Sequence, residues 1–305
     1  MKLGRAFLAT GAAALVGIQV GSALVATRFV ISQIEPASLA LLRYTIGLLC
    51  FLPALTTIEW KPFRRKDIVP IALLGTLQFA IVVALLNYSV LYISAARASL
   101  LFATLPLMTT VIAVLLGKES LNLFTSLGII LTIIGVGFIL GEELHLDSGY
   151  QRRWGDLLVL GSVLAAAVCS IFYRTYLNRY PTTQVAAFAM LNSVLFLAVL
   201  AAGEGFFNQA PQITVSGWVA ILFIGISSGV GYFLWLWALK NISATKVTSF
   251  LALSPLTASI LGVLFLSEAI TGRLFIAIIF IVSGLLVAVT YTGVKGKSRV
   301  TLVSE

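Results

Sequence analysis

Carboxylates, imidazoles and thiols are scarce in this chain. Its 305 residues include eleven acids, one histidine and two cysteines, and each shortage argues against a class of function. The single histidine, His145, stands in a polar stretch, which speaks against a histidine-centred catalytic or metal site. Cys50 and Cys169 each sit inside an apolar run, so neither a disulfide framework nor a thiolate metal site is implied. No acid falls near the middle of any long apolar run, and proton-coupled transport commonly needs an intramembrane carboxylate or histidine. There is no glycine-rich phosphate loop with its lysine, so nothing points to ATP as the energy source. No metal and no cofactor is expected.

Charge as a whole is also short. Charged residues make up 10% of the chain, against about 25% in an ordinary soluble domain. Hydrophobic residues make up 60%, and the mean hydropathy is +1.06. A bilayer crossing takes roughly 20 apolar residues in a helix. Ten such runs are present, at 6–31, 36–56, 67–92, 95–116, 121–140, 155–176, 182–203, 214–239, 243–265 and 272–293. They lack sustained period-two alternation and are too long for barrel strands. The first run follows Lys2 and Arg5, but its apolar stretch exceeds the usual core of a secretory signal, so it is read as a helix of the mature protein.

The net charge of +9 could suggest nucleic acid, but its distribution does not. With ten crossings, fourteen of the 20 Lys and Arg residues fall on the side of the N-terminus and five on the other, with Arg43 inside the second run. This bias puts both termini in the cytoplasm, and nucleic acid drops out as a partner.

The chain says one thing twice. ISAARASLLFATLPL at 93–107 returns as ISATKVTSFLALSPL at 242–256, and an offset of 149 gives 12 identities over the 43 positions from 93 to 135. Both prolines, both glutamates and the Arg97/Lys246 pair fall in register. The expected architecture is therefore an all-α integral membrane protein of ten transmembrane helices in two five-helix repeats, 1–145 and 146–305. Five is odd, so the second copy enters the membrane inverted, as in alternating-access carriers.

On a continuous helix of about 100° per residue, Ser99, Ala103, Pro106, Thr110, Ala113 and Gly117 share a face. Their counterparts are Thr248, Ala252, Pro255, Ser259, Gly262 and Leu266. The stripe either packs closely against a neighbouring helix or lines a central cavity, since both need small residues. Pro106 and Pro255, near the middle of their runs, make either static kinks or hinges. Arg97 and Glu119, like Lys246 and Glu268, lie 22 residues apart, about 33 Å of helix, and mark the ends of the fourth and ninth runs. Arg43, about two turns into the second run, is expected to snorkel to the outer interface with help from Glu268. A substrate carboxylate is its alternative partner.

Other polar cargo in the runs is Gln19, Gln78, Asn87, Tyr88, Tyr173, Asn192, Ser228, Tyr232, Trp235 and Trp237. Ser228, Tyr232 and Trp235 share a face, and Trp237 points away from it. Gln78 and Asn87 lie on opposite faces, so both cannot line one cavity without a kink. Intramembrane amides often only cross-link helices, and the pairs Gly17/Gly21 and Gly225/Gly229 are spaced for close packing. The candidate substrate-binding set is Gln19, Gln78, Ser99, Thr110, Ser228, Tyr232, Trp235 and Ser259, with Pro106 and Pro255 as hinges.

The sequence VGS at Val20–Ser22 followed by ATR at Ala26–Arg28, LLRY at Leu41–Tyr44, and the paired TLPL…GKES and LSPL…LSEA resemble EamA-type members of the drug/metabolite transporter superfamily. The resemblance runs from about residue 6 to 293. It implies a multi-pass bacterial inner-membrane carrier, often an exporter of amino acids or related small metabolites. Many relatives carry tryptophan where this chain has Val20. Four-span small multidrug members use a glutamate in their first span, where Gln19 stands here, which argues against proton-driven export of organic cations. The expected function is thus efflux of small organic metabolites by alternating access, with a metabolite importer or exchanger as the alternative. A non-transporting membrane scaffold or receptor is the alternative of another class, and an enzyme is not expected. Partners are a small-molecule substrate and the lipid bilayer, with monomer and homodimer both open.

Overall fold

The computed structural model of the protein describes residues 2–56, 59–117, 123–140, 149–208, 211–269 and 271–292. Expectations resting on Lys118, Glu119, His145 and the tail from 293 fall outside them. Among the described residues there is helix and no strand, and each of the ten apolar runs contains helix. The first is α1 (Lys2–Val30), and the second holds α2 (Pro36–Leu49) and the short α3 (Leu52–Leu55). The third is α4 (Arg65–Gly75), continued by a π-helical segment (Thr76–Ile81) into α5 (Val82–Tyr92). The fourth is broken into α6 (Ala95–Phe102) and α7 (Leu105–Leu115), and α8 (Leu123–Leu140) is the fifth. In the second half come α9 (Gly149–Leu177), α10 (Thr182–Gly203) and α11 (Val215–Asn241). The ninth run is broken again, into α12 (Ala244–Ser249), a 3-10 turn (Phe250–Ala252) and α13 (Leu253–Leu266), and α14 (Gly272–Thr292) is the last.

Seven helical stretches among the described residues are long and apolar enough to cross a membrane, and Pro36–Leu49, Ser126–Gly135 and Gly272–Gly284 are shorter apolar helices. The outside of the bundle is as apolar as its inside. Leu115 is 80% and Val215 82% exposed, which water would penalise and hydrocarbon would not. The protein has a multi-pass membrane fold.

The two copies of the doubled stretch build the same local structure. Ile93 and Ile242 are extended, at φ −130° and −133°. Ser94 and Ser243 then cap α6 and α12 by accepting from the backbone N–H of Arg97 at 3.2 Å and of Lys246 at 3.4 Å. A serine in this position satisfies one of the donors that a helix start leaves open. Both helices then break, at Ala103–Thr104 and at Phe250–Ala252, and a new helix begins with a proline in its first turn. The first turn has no intrahelical acceptors for its N–H groups, so Pro106 and Pro255 sacrifice no hydrogen bond there. They start helices and do not kink the middle of one.

Packing is built around close approaches. α1 lies against α11 and α13, α9 against α5 and α7, α2 against α11, α10 against α4, α2 against α10, and α8 against α14. A Cβ added at Gly17 would stand 2.1 Å from the Phe250 carbonyl oxygen, and one at Gly21 2.4 Å from that of Ser254. Only glycine lets α1 approach this closely. Gly225 faces Ile46 and Gly229 faces Gly47 in the same manner between α11 and α2.

Buried charge is spent on holding helix ends. Arg97 forms a two-pronged pair with Asp156 of α9, Nε to Oδ1 at 2.9 Å and Nη2 to Oδ2 at 2.8 Å. Glu268 accepts from the backbone N–H groups of Ala95 at 3.0 Å and Ala96 at 3.5 Å, at the start of α6. It therefore does not help Arg43 to the interface as expected; the positive end of α6 holds it. Glu204 caps α2 in the same way, accepting from the N–H groups of Ala37 and Ser38 and from the Tyr88 hydroxyl at 2.6 Å.

Candidate functional site: a polar cavity inside the bundle

Inside the bundle, α1, α2, the π segment with α5, α6–α7, α9 and α11 surround one cavity, with about 90 Å³ open to the centres of water-sized molecules. Its polar groups come from Gln19, Arg43, Tyr44, Gln78, Ser228 and Tyr232, set in a mostly apolar lining that includes Phe102, Leu105 and the Trp235 ring. Both halves of the chain contribute to it.

Each polar group reaches the cavity for a local reason. Ser228, Gly231, Tyr232 and Trp235 follow a three-, four- and seven-residue spacing along α11, which puts them on one face of an unbroken helix. A Cβ on Gly231 would stand 2.8 Å from Gln19 Oε1, so the missing side chain makes room for the amide. Gln78 belongs to the π-helical segment, whose wider turn is of the kind often found at functional sites. Asn87 is buried away from the cavity and donates to the Pro36 carbonyl at 2.9 Å, cross-linking α5 to the start of α2.

Several of these groups are left short of partners. Among the described residues, Gln78 Oε1 is buried without a hydrogen bond, and so is the Tyr232 hydroxyl, on a residue 9% exposed. The Tyr173 hydroxyl lies close enough to interact with that of Tyr232, but the two do not meet hydrogen-bond geometry and both are unpartnered. A buried polar atom left alone costs about 1–3 kcal/mol, and Gln78 and Tyr232 are both lining residues, so an occupant that drew these atoms into hydrogen bonds would relieve that cost. Gln19 is only weakly engaged, donating to Ser227 Oγ at 3.4 Å.

Arg43 is where the structure departs most from the sequence expectation. It does not snorkel outward: it lines the cavity, donates from Nε to Ser228 Oγ at 2.7 Å, and lies 5.5 Å from the centre of the Tyr44 ring. Unlike Arg97 and Arg179, it has no carboxylate partner among the described residues. The signal in the sequence was the depth of Arg43 in its run with no acid on the same helix to meet it. Sequence reasoning also passed over an aromatic cluster behind this wall, in which Phe79 packs on Tyr232 with ring centres 3.9 Å apart and on Tyr44 at 5.0 Å.

Of the eight candidate substrate residues, Gln19, Gln78, Ser228, Tyr232 and Trp235 come together at this cavity. Ser99, Thr110 and Ser259 do not line it. The Ser99 hydroxyl donates to the Ala96 carbonyl at 2.8 Å and that of Thr110 to the Pro106 carbonyl at 2.9 Å, while Ser259 Oγ is buried without a partner. The doubled stretch meets the cavity through Phe102, Leu105 and Leu251 instead. Pro106 and Pro255 are buried in the first turns of α7 and α13. Two further recesses, beside Glu204 and beside Arg28, Arg97 and Glu268, lie at helix ends.

A mostly apolar cavity with a few polar groups, inside a helical bundle, suits a small organic ligand, and known proteins share this chain's sequence pattern. The sequence profile of the EamA-like transporter family matches residues 8–141 and, a second time, residues 153–290. The chain belongs to the EamA-like transporter family. It is 28% identical over 261 residues to an uncharacterized transporter of Clostridium kluyveri, covering 82% of each chain. An uncharacterized transporter of Archaeoglobus fulgidus is 26% identical over 255 residues, 83% of this chain and 88% of that one. A protein of Salmonella typhimurium named biotin transporter is 29% identical over 211 residues, 68% of this chain and 66% of that one. A solved crystal structure shares the fold of this EamA-family chain with a TM-score of 0.67 at 22% identity, covering 91% of this chain and 96% of the other.

Proposed function

We propose that this EamA-family protein is a secondary carrier that moves a small organic metabolite through the cavity bounded by Gln19, Arg43, Gln78, Ser228 and Tyr232. One observation carries the reading: inside a bundle whose surface carries many exposed apolar side chains, polar groups from both halves of the chain converge on one cavity, and among the described residues the free edge of Arg43, Gln78 Oε1 and the Tyr232 hydroxyl are left without protein partners. A scaffold would gain nothing from that cost. An enzyme is disfavoured by the makeup of the lining, which among the described residues holds amides, hydroxyls and one guanidinium but no carboxylate, thiol or imidazole.

The carrier works by alternating access between two inverted five-helix repeats, 1–145 and 146–305, with ten crossings in all. The repeat reading is supported by the doubled family match and by the pattern of helix contacts. Exchanging each run for the one five places later carries the α1–α11 contact onto α9 with α5, α1–α13 onto α9 with α7, and α2–α11 onto α10 with α4. The α2–α10 and α8–α14 contacts map onto themselves. The two helix breaks, each followed by Pro106 or Pro255, are the hinges on which the halves rock. Ser99, Thr110 and Ser259 lie within two helical turns of those breaks and reach the solute path only when the halves move. The distribution of Lys and Arg supports cytoplasmic termini in a bacterial inner membrane, and family resemblance favours efflux. The relative named for biotin supports a metabolite-sized cargo, with import or exchange as the second reading. Counterflow of labelled metabolites into proteoliposomes without nucleotide tests the carrier reading. Uptake driven by trapped unlabelled solute is expected, and strict dependence on ATP would refute it.

A further inference from the structure

The carrier reading, taken as the base for this step, leaves the cargo unspecified, and the chemistry of the cavity narrows it. Among the described residues, Arg43 is the one charged side chain of the lining. A guanidinium stays protonated, so the cavity carries a fixed single positive charge. Its Nε is engaged by Ser228 Oγ at 2.7 Å. Ser228 donates its own hydrogen to the Ile224 carbonyl oxygen, so the serine can only accept from the arginine and fixes its rotation. Neither terminal nitrogen of Arg43 has a protein partner among the described residues, whereas Arg97 closes both of its prongs on Asp156. Arg43 is half-buried, and a partly desolvated charge without a counter-ion is costly. The open edge of the guanidinium has the spacing of a carboxylate.

A second, independent feature points into the same cavity. Among the described residues, the hydroxyl of Tyr232, more than nine-tenths buried, has no hydrogen-bond partner, and Gln78 Oε1 has none either. Both residues line the cavity, so a turn of either side chain brings a donor or an acceptor to an occupant.

We propose that the cargo is a small organic monocarboxylate. Its anionic group sits on the free edge of Arg43, which Ser228 positions, and a polar group on its body meets Tyr232 and Gln78. Its apolar part packs on Trp235. One positive charge matches one negative charge: a dianionic phosphate ester would leave a charge unmatched in the bundle, and an organic cation would be repelled.

The test uses the purified full chain in detergent and the thermal stabilisation given by matched pairs: benzoate and benzamide, indole-3-acetate and its amide, 3-methylbutanoate and its amide. Each pair keeps its body and loses its charge. At least one carboxylate should raise Tm while its amide does not. Arg43→Gln should shift that carboxylate's response to about 10- to 100-fold higher concentration, the loss of charge-assisted hydrogen bonds. Arg43→Lys should recover part of it, since lysine keeps the charge without the fork. Should Arg43→Gln fail to fold, the paired comparison on the native protein decides alone. Equal stabilisation by acid and amide, or no response to any carboxylate of the series, overturns the proposal. Counterflow of an uncharged metabolite that ignores Arg43→Gln would overturn it too, while leaving the carrier reading intact. Carboxylates that bind through Arg43 but show no counterflow would sustain it and refute the carrier reading.

Discussion

Arg43 on α2 donates from Nε to Ser228 Oγ on α11 at 2.7 Å, joining the two halves of the chain at the wall of the cavity. Ser228→Ala removes the acceptor and frees the guanidinium to rotate. The apparent KM for the transported solute should rise about two- to tenfold, the worth of a single hydrogen bond, with thermal stability little changed. Concentration-dependent counterflow together with a melting curve would check this; an unchanged KM would mean that the serine does not orient Arg43.

Close packing of α1 makes a contrast within one helix. Gly17→Ala places a methyl 2.1 Å from the Phe250 carbonyl oxygen, whereas Gly11→Ala meets nothing within 4 Å. Backbone cannot step aside as a side chain can, so Gly17→Ala should lose about 1–3 kcal/mol, the usual scale of overpacking. Gly11→Ala should be neutral or slightly stabilising, since alanine is the better helix former. Equal melting temperatures for the two variants would count against the packing of α1 on the Phe250–Ala252 turn.

Pro106 gives a prediction opposite in sense to its sequence reading. In the middle of a helix, replacing it by alanine would restore a hydrogen bond; in the first turn of α7 there is none to restore. Pro106→Ala should therefore change stability by less than about 1 kcal/mol, chiefly through the entropy of the unfolded chain. Thermal unfolding of the variant reads this out, and a gain of several kcal/mol would place the proline inside a continuous helix.

How far the sequence could be read depended on local regularity. The shared face of Ser228, Tyr232 and Trp235 was legible because α11 runs unbroken from Val215 to Asn241 and keeps its angular step. The stripe through Ser99, Ala103, Pro106 and Thr110 assumed the same step across Ala103–Thr104, where the helix breaks, so its two ends need not face one way. Gln78 lies in a π turn that no periodicity announced. Partners set by tertiary contact were out of reach. Glu268 looked like an interface charge because it sits at a run's end, and Arg43 because two turns of helix are within a snorkelling reach. Their actual companions, the start of α6 and Ser228, are 173 and 185 residues away in sequence. The ten apolar runs and the duplication were plain, since both rest on composition and identity alone.

The Arg97–Asp156 pair tests the bundle away from the cavity. Both side chains are buried, and removing one partner of a buried pair typically costs about 3–5 kcal/mol. Asp156→Asn should fall toward that range in thermal unfolding while the solute affinity of the folded fraction is kept. An unchanged melting temperature would mean that the pair contributes nothing to stability.

The central claim is that solute passes through the cavity at Gln78 and Ser228. It is tested most directly by counterflow in proteoliposomes of Gln78→Cys, in a protein also lacking Cys50 and Cys169, before and after treatment with a small water-soluble thiol reagent. The account predicts that the cysteine reacts, that transported solute slows the reaction, and that counterflow stops once position 78 is modified. Counterflow that continues with position 78 fully modified would contradict it.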